Sequence, residues 1–475
     1  GEDCGMSQDK RWTVSTPLRS GTFWMLLTVA VGMLFTIFVF YPGFMSPDSV
    51  GQLGQARAGS FSDWHPPLMS WLWGLFDRMM PGPIGMLLFH SLIFWSGLAL
   101  WMMLIAPKWP TTGKCLAVLA VGLFPAVFAL LGTVWKDSAM IAACMLGSAL
   151  LLLAERKRSL VAVIFGLLAL WYALAVRHNA VVAVLPLVVY ASKILYEQRF
   201  LSSTLWRRRD LAAVGAIGLS VLALMLVASS AVKHQLTKGE TNYPVQQILI
   251  HDLVAVSIES GSPLLPDQLF GSEPLTVPDL EEIYTPKRIV PLFCCDDSVA
   301  RLERTADPGL VSELQDVWMR AVLSHPIAYL RHRSQVLGEM LGITEGEVCY
   351  PYQHGIVENE LGVVYEESLF QYVVFGTLWR VRNVFFRAWI YMTILAANVA
   401  FMIWKRDKVL RASQLLLTIG VSGLLYGLAY FFVATTCDFR MHYWTAVSAA
   451  LLVVSLVLVL GESKLVSLLN ARSSA

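Results

Sequence analysis

Residues 45–73 read MSPDSVGQLGQARAGSFSDWHPPLMSWLW. An apolar run over 22–41 comes directly before this stretch, and apolar sequence resumes at LMSWLW. About 20 apolar residues cross the roughly 30 Å hydrocarbon layer of a bilayer, so the stretch reads as a polar loop between two membrane spans. The loop holds Asp48, Asp63 and His65 and is stiffened by Pro66-Pro67. A residue before proline is biased to extended backbone, which fixes the direction of the His65 ring. Ser46-Pro47-Asp48-Ser49 also fits the start of a short helix, VGQLGQARAG, with Ser or Asp as its cap. An acid at the water–lipid boundary, on a loop held against the bilayer, suits a membrane enzyme acting on a lipid-linked substrate.

Composition agrees. The chain has 475 residues, 56% hydrophobic and 15% charged, with mean hydropathy +0.59, against about 25% charged in soluble domains. A net charge of +2 says nothing about nucleic acid, and the sequence has no Lys/Arg block of the kind a nucleic-acid-binding arm needs. Ten candidate spans follow: 22–41, 84–105, 115–132, 138–154, 159–176, 179–196, 210–232, 383–404, 412–433 and 441–461. The expected fold is an all-α polytopic membrane protein of about ten transmembrane helices with a mixed periplasmic or extracellular region. The first span, from about Thr22, has no small-residue cleavage site after it and reads as a retained helix rather than a signal peptide. GEDCG before Met6 reads as an addition to the natural sequence. Residues 370–379 (FQYVVFGTLW) are too short to cross and are expected along the interface.

Ten spans put Lys10, Arg11, Arg19, Lys108, Lys114, Arg156, Lys157, Arg158, Lys193, Arg199, Arg207, Arg208, Arg209, Lys405, Arg406, Lys408, Arg411 and Lys464 on one side, which the positive-inside rule makes cytoplasmic. The Asp48 loop, Lys136-Asp137, Arg177-His178, residues 233–382 and Asp438–Arg440 fall opposite. The chain thus divides into an N-terminal transmembrane module (1–232) with a catalytic first outer loop (42–83), a periplasmic or extracellular region (233–382) and C-terminal helices (383–475). Within 233–382, VSELQDVWMRAVLSHPIAYLRHRSQVLGEML reads as two helices broken at Pro326, with Ala328, Leu330 and Val336 on an apolar stripe. Cys115 and Cys144 read as apolar fillers within spans. On an oxidising face Cys349 is expected to pair with Cys294 or Cys295. Cys294-Cys295 lacks zinc-ligand spacing.

Several polar groups interrupt otherwise apolar sequence. Lys136-Asp137 opens the fourth span, where an ion pair and helix cap is the plainer reading. Arg177-His178-Asn179 breaks an apolar hairpin, and an Arg with His and Asn donors is a good phosphate receptor. Arg440 and His442 lie in TTCDFRMHYWTAV, where Tyr443 and Trp444 also suit an aromatic belt. Arg331 in YLRHRSQ reads as a solvated basic face or as a reach toward a lipid phosphate.

Over roughly residues 20–200 and 435–460 the chain resembles the GT-C glycosyltransferases, polytopic enzymes that use polyprenyl-phosphate sugars. It looks most like the branch of protein O-mannosyltransferases and lipid A aminoarabinose transferases. The resemblance rests on a first-loop acid, Asp48, followed by a short helix and Asp63-Trp64-His65-Pro66-Pro67-Leu68. Further along come Trp135-Lys136-Asp137-Ser138, Arg177-His178-Asn179-Ala180 and Asp438-Phe439-Arg440. It implies inverting transfer from a polyprenyl-phosphate sugar to a hydroxyl of a glycan, lipid or protein at the outer face of a bacterial inner membrane. Asp48 would be the general base. Arg177, Arg440, Lys136, His178 and Arg331 would hold the donor phosphate, and Asp63, His65, Asp137, Asn179 and His442 the sugar or acceptor. The acidic pair of some relatives is absent, since Ser49 and Val50 follow Asp48, so dependence on a divalent cation (Mg or Mn) is left open. Two rival classes are a transporter or flippase for a lipid-linked or anionic solute, whose site would lie near the midplane, and an acyl- or phosphotransferase, which would carry a His–Asp or metal cluster.

Overall fold

A computed structural model describes residues 17–199, 207–271, 274–294, 301–344, 346–404 and 414–473. Cys295 and the basic residues Lys10, Arg11, Lys405, Arg406, Lys408 and Arg411 lie outside these. Among the described residues the regular elements are helical, and extended pairing is limited to isolated bridges. The first half runs α1 (Pro17–Phe40), α2 (Pro47–Ala58), α3 (Pro67–Met79), α4 (Ile84–Ile105), α5 (Thr111–Gly122), α6 (Pro125–Leu131), α7 (Lys136–Lys157), α8 (Leu160–Val176), α9 (Ala180–Arg199) and α10 (Arg208–Thr237). The fold is a multi-pass, all-α membrane architecture. Large apolar side chains such as Phe23, Leu34 and Phe38 on α1, and Leu219, Leu224 and Val227 on α10, stand exposed on the perimeter. In water such a surface would be unstable, but in lipid it needs no cover.

The centre is α7, 83% buried over its apolar window against 22% for the peripheral α10. Small residues put it there. A Cβ on Gly97 of α4 would meet the Leu146 backbone at 2.8 Å, and one on Gly147 would meet the Gly166 carbonyl of α8 at 3.2 Å. Close approach at small residues is how helices associate where lipid removes the usual hydrophobic drive.

Eight described helices are long and apolar enough to cross a membrane, or nine with α5 and α6 taken as one. That pair bends by 68° at Pro125, which has no N–H to continue the helix. Contacts show that it still runs end to end. Lys108, just before α5, bonds through its amide to Glu462, near the C-terminal end of the last span, Phe439–Lys464. Gly132, just after α6, packs on Phe40 and accepts from the Phe44 amide. Helix α8, at 17 residues, is short by length alone, yet it too traverses: Ser159 begins it beside the end of α7, and Arg177 ends it at Asp137, the start of α7. Helices thus lie on all ten expected stretches, eight or nine of them long and apolar enough to cross a membrane and α8 shorter.

Beyond α10 the chain forms a lobe of α11 (Gln246–Ser260), α12 (Val277–Ile283), α13 (Pro308–Ser324) and α14 (Pro326–Leu341) around a separate core including Leu253, Leu280, Leu292 and Leu314. The break at Pro326 is as expected. The stripe is not: Ala328 and Val336 are buried, but Leu330 is 50% exposed, and His332 and Arg333 are buried instead. At about 100° per residue, positions 328, 332 and 336 share a face, whereas 330 lies about 200° from 328. The chain returns through α15 (Leu369–Arg380) and α16 (Arg382–Phe385) to α17 (Ala388–Trp404), α18 (Gln414–Val433) and α19 (Tyr443–Ser473). Helix α15 lies where an interfacial piece was expected, with Gln371 bonded to the Val39 and Tyr41 carbonyls at the end of α1.

The disulfide differs from expectation. Cys349 joins Cys437, with Cα atoms 5.7 Å apart, inside the normal range of roughly 4.4–6.8 Å. The strap after α18 runs back along residues 349–350, where the Phe439 amide bonds to the Tyr350 carbonyl at 3.0 Å. That register, unreadable from sequence, decides the partner.

Candidate active site

The site begins with the segment leaving α1. Gly43 takes φ +119, a left-handed conformation only glycine adopts easily, with Pro83 and Val134 close by. Phe44 then pairs alongside Thr133 and Met45 alongside Ile356. The chain is thus clamped from both sides just before α2. Ser46 is the N-cap, Pro47 the first helical residue, and the Ser46 amide donates to Ser49 Oγ at 3.2 Å. Ser46 Oγ also accepts from the Trp135 indole at 2.7 Å. The capping is done by serines, so Asp48 is left to face the site.

Arg440 Nη1 donates to Asp48 Oδ2 at 2.8 Å and Nε to Asp438 Oδ2 at 3.0 Å, with the guanidinium over the Trp135 ring at 4.8 Å. His65 Nε2 stands 3.7 Å from Asp48 Oδ1, and Lys136 Nζ is 2.7 Å from His65 Nδ1. Asp48 keeps 34% of its side chain open, against 13% for His65 and Arg440. Burial opposes the Asp48 charge, but Arg440, then Lys136, outweigh it and hold the carboxyl far below the ordinary 3.8. His65 is pushed down to about 3 by burial and by the Lys136 ammonium, so at neutral pH it is uncharged and Nδ1 accepts from Lys136.

A second layer lies beneath. Arg177 Nη1 pairs with Asp137 at 2.5 Å, both side chains buried, while Nε donates to Tyr426 at 3.1 Å and Nη2 to Tyr430 at 2.8 Å. His442 is wholly buried beside Tyr430, and among the described residues neither ring nitrogen has a hydrogen-bond partner. Asn179 is half-buried after Arg177, and the His178 ring lies against the Asp63 backbone. Asp63 is buried and accepts from the Asn242 amide at 2.6 Å, clipping the first loop to the lobe.

The fold therefore gathers Asp48, His65, Lys136 and Arg440 into one cluster and sets Arg177, Asp137 and His442 behind it. It does not bring Arg331 there: that side chain is exposed on α14 and paired with Glu259. Asp438, Trp135, Tyr350, Tyr426 and Tyr430 were not singled out as site residues in the sequence. Asp438 and Trp135 stand inside the motifs quoted above. Tyr426 and Tyr430, four apart on an apolar helix, carry only the signal of a shared face. No three His, Cys, Asp or Glu side chains converge as metal ligands among the described residues. Between Asp48 and Asp438 sits the Arg440 guanidinium, which both carboxylates accept from.

No family model and no curated protein matches the sequence. Among solved structures the chain is similar to the archaeal oligosaccharyltransferase AglB from Archaeoglobus fulgidus, solved in complex with an inhibitory peptide and a dolichol-phosphate. The identity is 11% and the TM-score 0.41, over 95% of this chain and 52% of that one. The chain spans about half the length of that structure.

A groove of 740 Å³ opens beside the cluster, between α15 and residues 348–354, lined by Tyr350, Tyr352, Tyr372, Phe375 and Trp379. Tyr350 joins the two: Asp438, Arg440 and Asp48 all act on its hydroxyl, whose pKa burial raises to about 12. On α15, Leu369, Tyr372 and Val373 are exposed next to the end of α1.

Proposed function

We propose that this protein is an integral-membrane glycosyltransferase that moves a sugar from a polyprenyl-phosphate donor to an acceptor hydroxyl at the outer membrane face. The observation that carries the reading is the half-open Asp48 carboxylate, set between the cations Arg440 and Lys136 at one end of an otherwise apolar bundle. A base beside fixed cations suits the removal of a hydroxyl proton next to a leaving phosphate. Gathering at one end, rather than at the midplane, favours transfer over transport.

Asp48 accepts the acceptor proton as the hydroxyl oxygen attacks the anomeric carbon. The bond to the phosphate breaks on the opposite side, with inversion, and Arg440 and Lys136 offset the charge that develops on the phosphate. Positioned base catalysis contributes about 10²–10⁴-fold. Arg440 has a second task. While it grips Asp48, that carboxylate is a weak base. A donor phosphate offers the guanidinium a competing bidentate partner, and Asp48 regains proton affinity when Arg440 turns to it. Base activation is thereby tied to donor binding. Arg177, held by Asp137 and two tyrosines, acts as the rigid support on which α7, α9 and α18 meet, rather than as a direct phosphate ligand.

The aromatic groove beside α15 suits the prenyl chain, and the Cys349–Cys437 disulfide suits an oxidising compartment such as the periplasm. The acceptor is a cell-envelope glycan, lipid or protein. The test is release of free polyprenyl phosphate by the purified protein from a panel of polyprenyl-phosphate sugars. The reading predicts turnover of at least one member and none of the matching nucleotide sugars. Turnover of nucleotide sugars alone would contradict it.

A further inference from the structure

A second pocket borders the first loop at Trp64, one residue before the His65 of the Asp48 cluster. It measures 360 Å³ and is lined by Trp64, Asn242, Gln246, Arg304, Thr305 and Ala306, which is within the roughly 300–1,000 Å³ of small-molecule sites. Its walls are fixed. Gln246 is wholly buried and spends its carboxamide on the Asn242 carbonyl at 2.8 Å and on the Thr305 carbonyl and amide, both at 2.9 Å. The Asn242 amide is bonded to Asp63, one residue before Trp64. The loop that carries His65 to Asp48 is therefore also one wall of this pocket.

Arg304 is the unusual member. Its guanidinium lies over the Phe293 ring at 4.2 Å and the Trp64 ring at 4.8 Å. Among the described residues it has no ion pair and no side-chain hydrogen bond. The other arginines of the site, Arg440 and Arg177, are each matched by carboxylates. Arg304 is an exposed residue, but contact with two rings restricts its rotamers, and its N–H groups remain for a ligand. That is a preorganised receptor for an anion. Asn242 and Thr305 beside it supply polar groups suited to sugar hydroxyls.

We propose that this pocket is an acceptor subsite that binds a sugar unit bearing a negative charge, carboxylate or phosphate. The proposal rests on the transferase reading and adds the chemical class of the acceptor. An acceptor running from Arg304 past Trp64 and His65 brings a neighbouring unit's hydroxyl to Asp48. The anionic unit fixes the register, so that one hydroxyl of many meets the base.

Ligand-detected NMR titration of the full-length protein in detergent tests this with D-glucuronate, glucose 6-phosphate, glucose and glycerol 3-phosphate as probes. Glucuronate or glucose 6-phosphate should bind at least about tenfold more tightly than glucose. Arg304→Gln should remove that preference while glucose binding stays as it was. Arg304→Lys, which keeps the charge but not the fork, should fall between. Asp48→Asn should bind the anionic sugars as the wild type does, so this experiment does not depend on turnover. Equal binding of charged and neutral sugars, or an unchanged preference in Arg304→Gln, would overturn the subsite. Glycerol 3-phosphate binding as tightly as glucose 6-phosphate would reduce it to a phosphate site and overturn the sugar assignment. Intact anionic-sugar binding in a protein that releases no polyprenyl phosphate would instead count against the transferase reading alone.

Discussion

Asp48 and Arg440 are 392 residues apart in sequence and 2.8 Å apart in space, and the proposed chemistry depends on that contact. Each was legible as a residue type in a suggestive motif. Their pairing was legible only through the inference that both loops lie on one side. Arg177 shows where such reading stops. A polar break in an apolar hairpin pointed to a phosphate ligand, but Tyr426 and Tyr430, which occupy its guanidinium together with Asp137, come from a helix about 250 residues later. Nothing local marks them. If Arg440 clamps the donor phosphate, Arg440→Lys should raise the donor concentration for half-maximal release by about tenfold, since charge is kept and the bidentate fork lost. An unchanged value would make Arg440 a structural partner of Asp48 only.

The strap 434–439 between α18 and α19 carries Asp438 and leads into Arg440, and the lobe holds it. Arg333 Nη1 donates to the Ala434 carbonyl at 2.8 Å, the Ile289 amide to Thr435 and the Cys437 amide to Lys287, both at 2.9 Å. Arg333 is paired in turn with Asp252 at 2.7 Å, and Asp252 also receives the Trp318 indole. The helices α13 and α14 were readable from periodicity and Pro326. That their inner face would carry charge was not, because a buried His332–Arg333 pair looks in sequence like a solvated basic face. This element has a pH signature. Burial holds His251 down at about 3 against an ordinary 6.5, and His332 is lowered as well. Between about pH 6.5 and 3 the unfolded chain binds protons that the folded lobe refuses, so stability falls as pH falls through that window. Thermal unfolding should therefore decline less steeply from pH 7 to 4 in His251→Phe than in the wild type. Parallel declines would show that His251 is protonated in the folded lobe.

For the molecule as a whole, composition and span periodicity were enough to give the polytopic all-α class, with eight or nine described helices long and apolar enough to span where ten spans were expected. The bend at Pro125 and the shortness of α8 could not be judged from hydropathy, since length alone does not say whether a helix reaches the far end of the bundle. The proposed topology puts every short basic loop on one side and the Asp48 cluster on the other. Single cysteines at Ser60, Gly239 and Lys108, introduced into a protein without other free thiols, test it in intact cells. A membrane-impermeant thiol reagent should label the first two and spare the third, whereas labelling at Lys108 would reverse the architecture. The central claim, that this face performs sugar transfer with Asp48 as its base, has a more direct test. Polyprenyl phosphate release from a donor turned over by the wild type should be measured for Asp48→Asn, with fold integrity checked by thermal unfolding. The account predicts a fall of at least about 10²-fold in a protein that remains folded and still binds donor. Release near the wild-type rate from folded Asp48→Asn would contradict it.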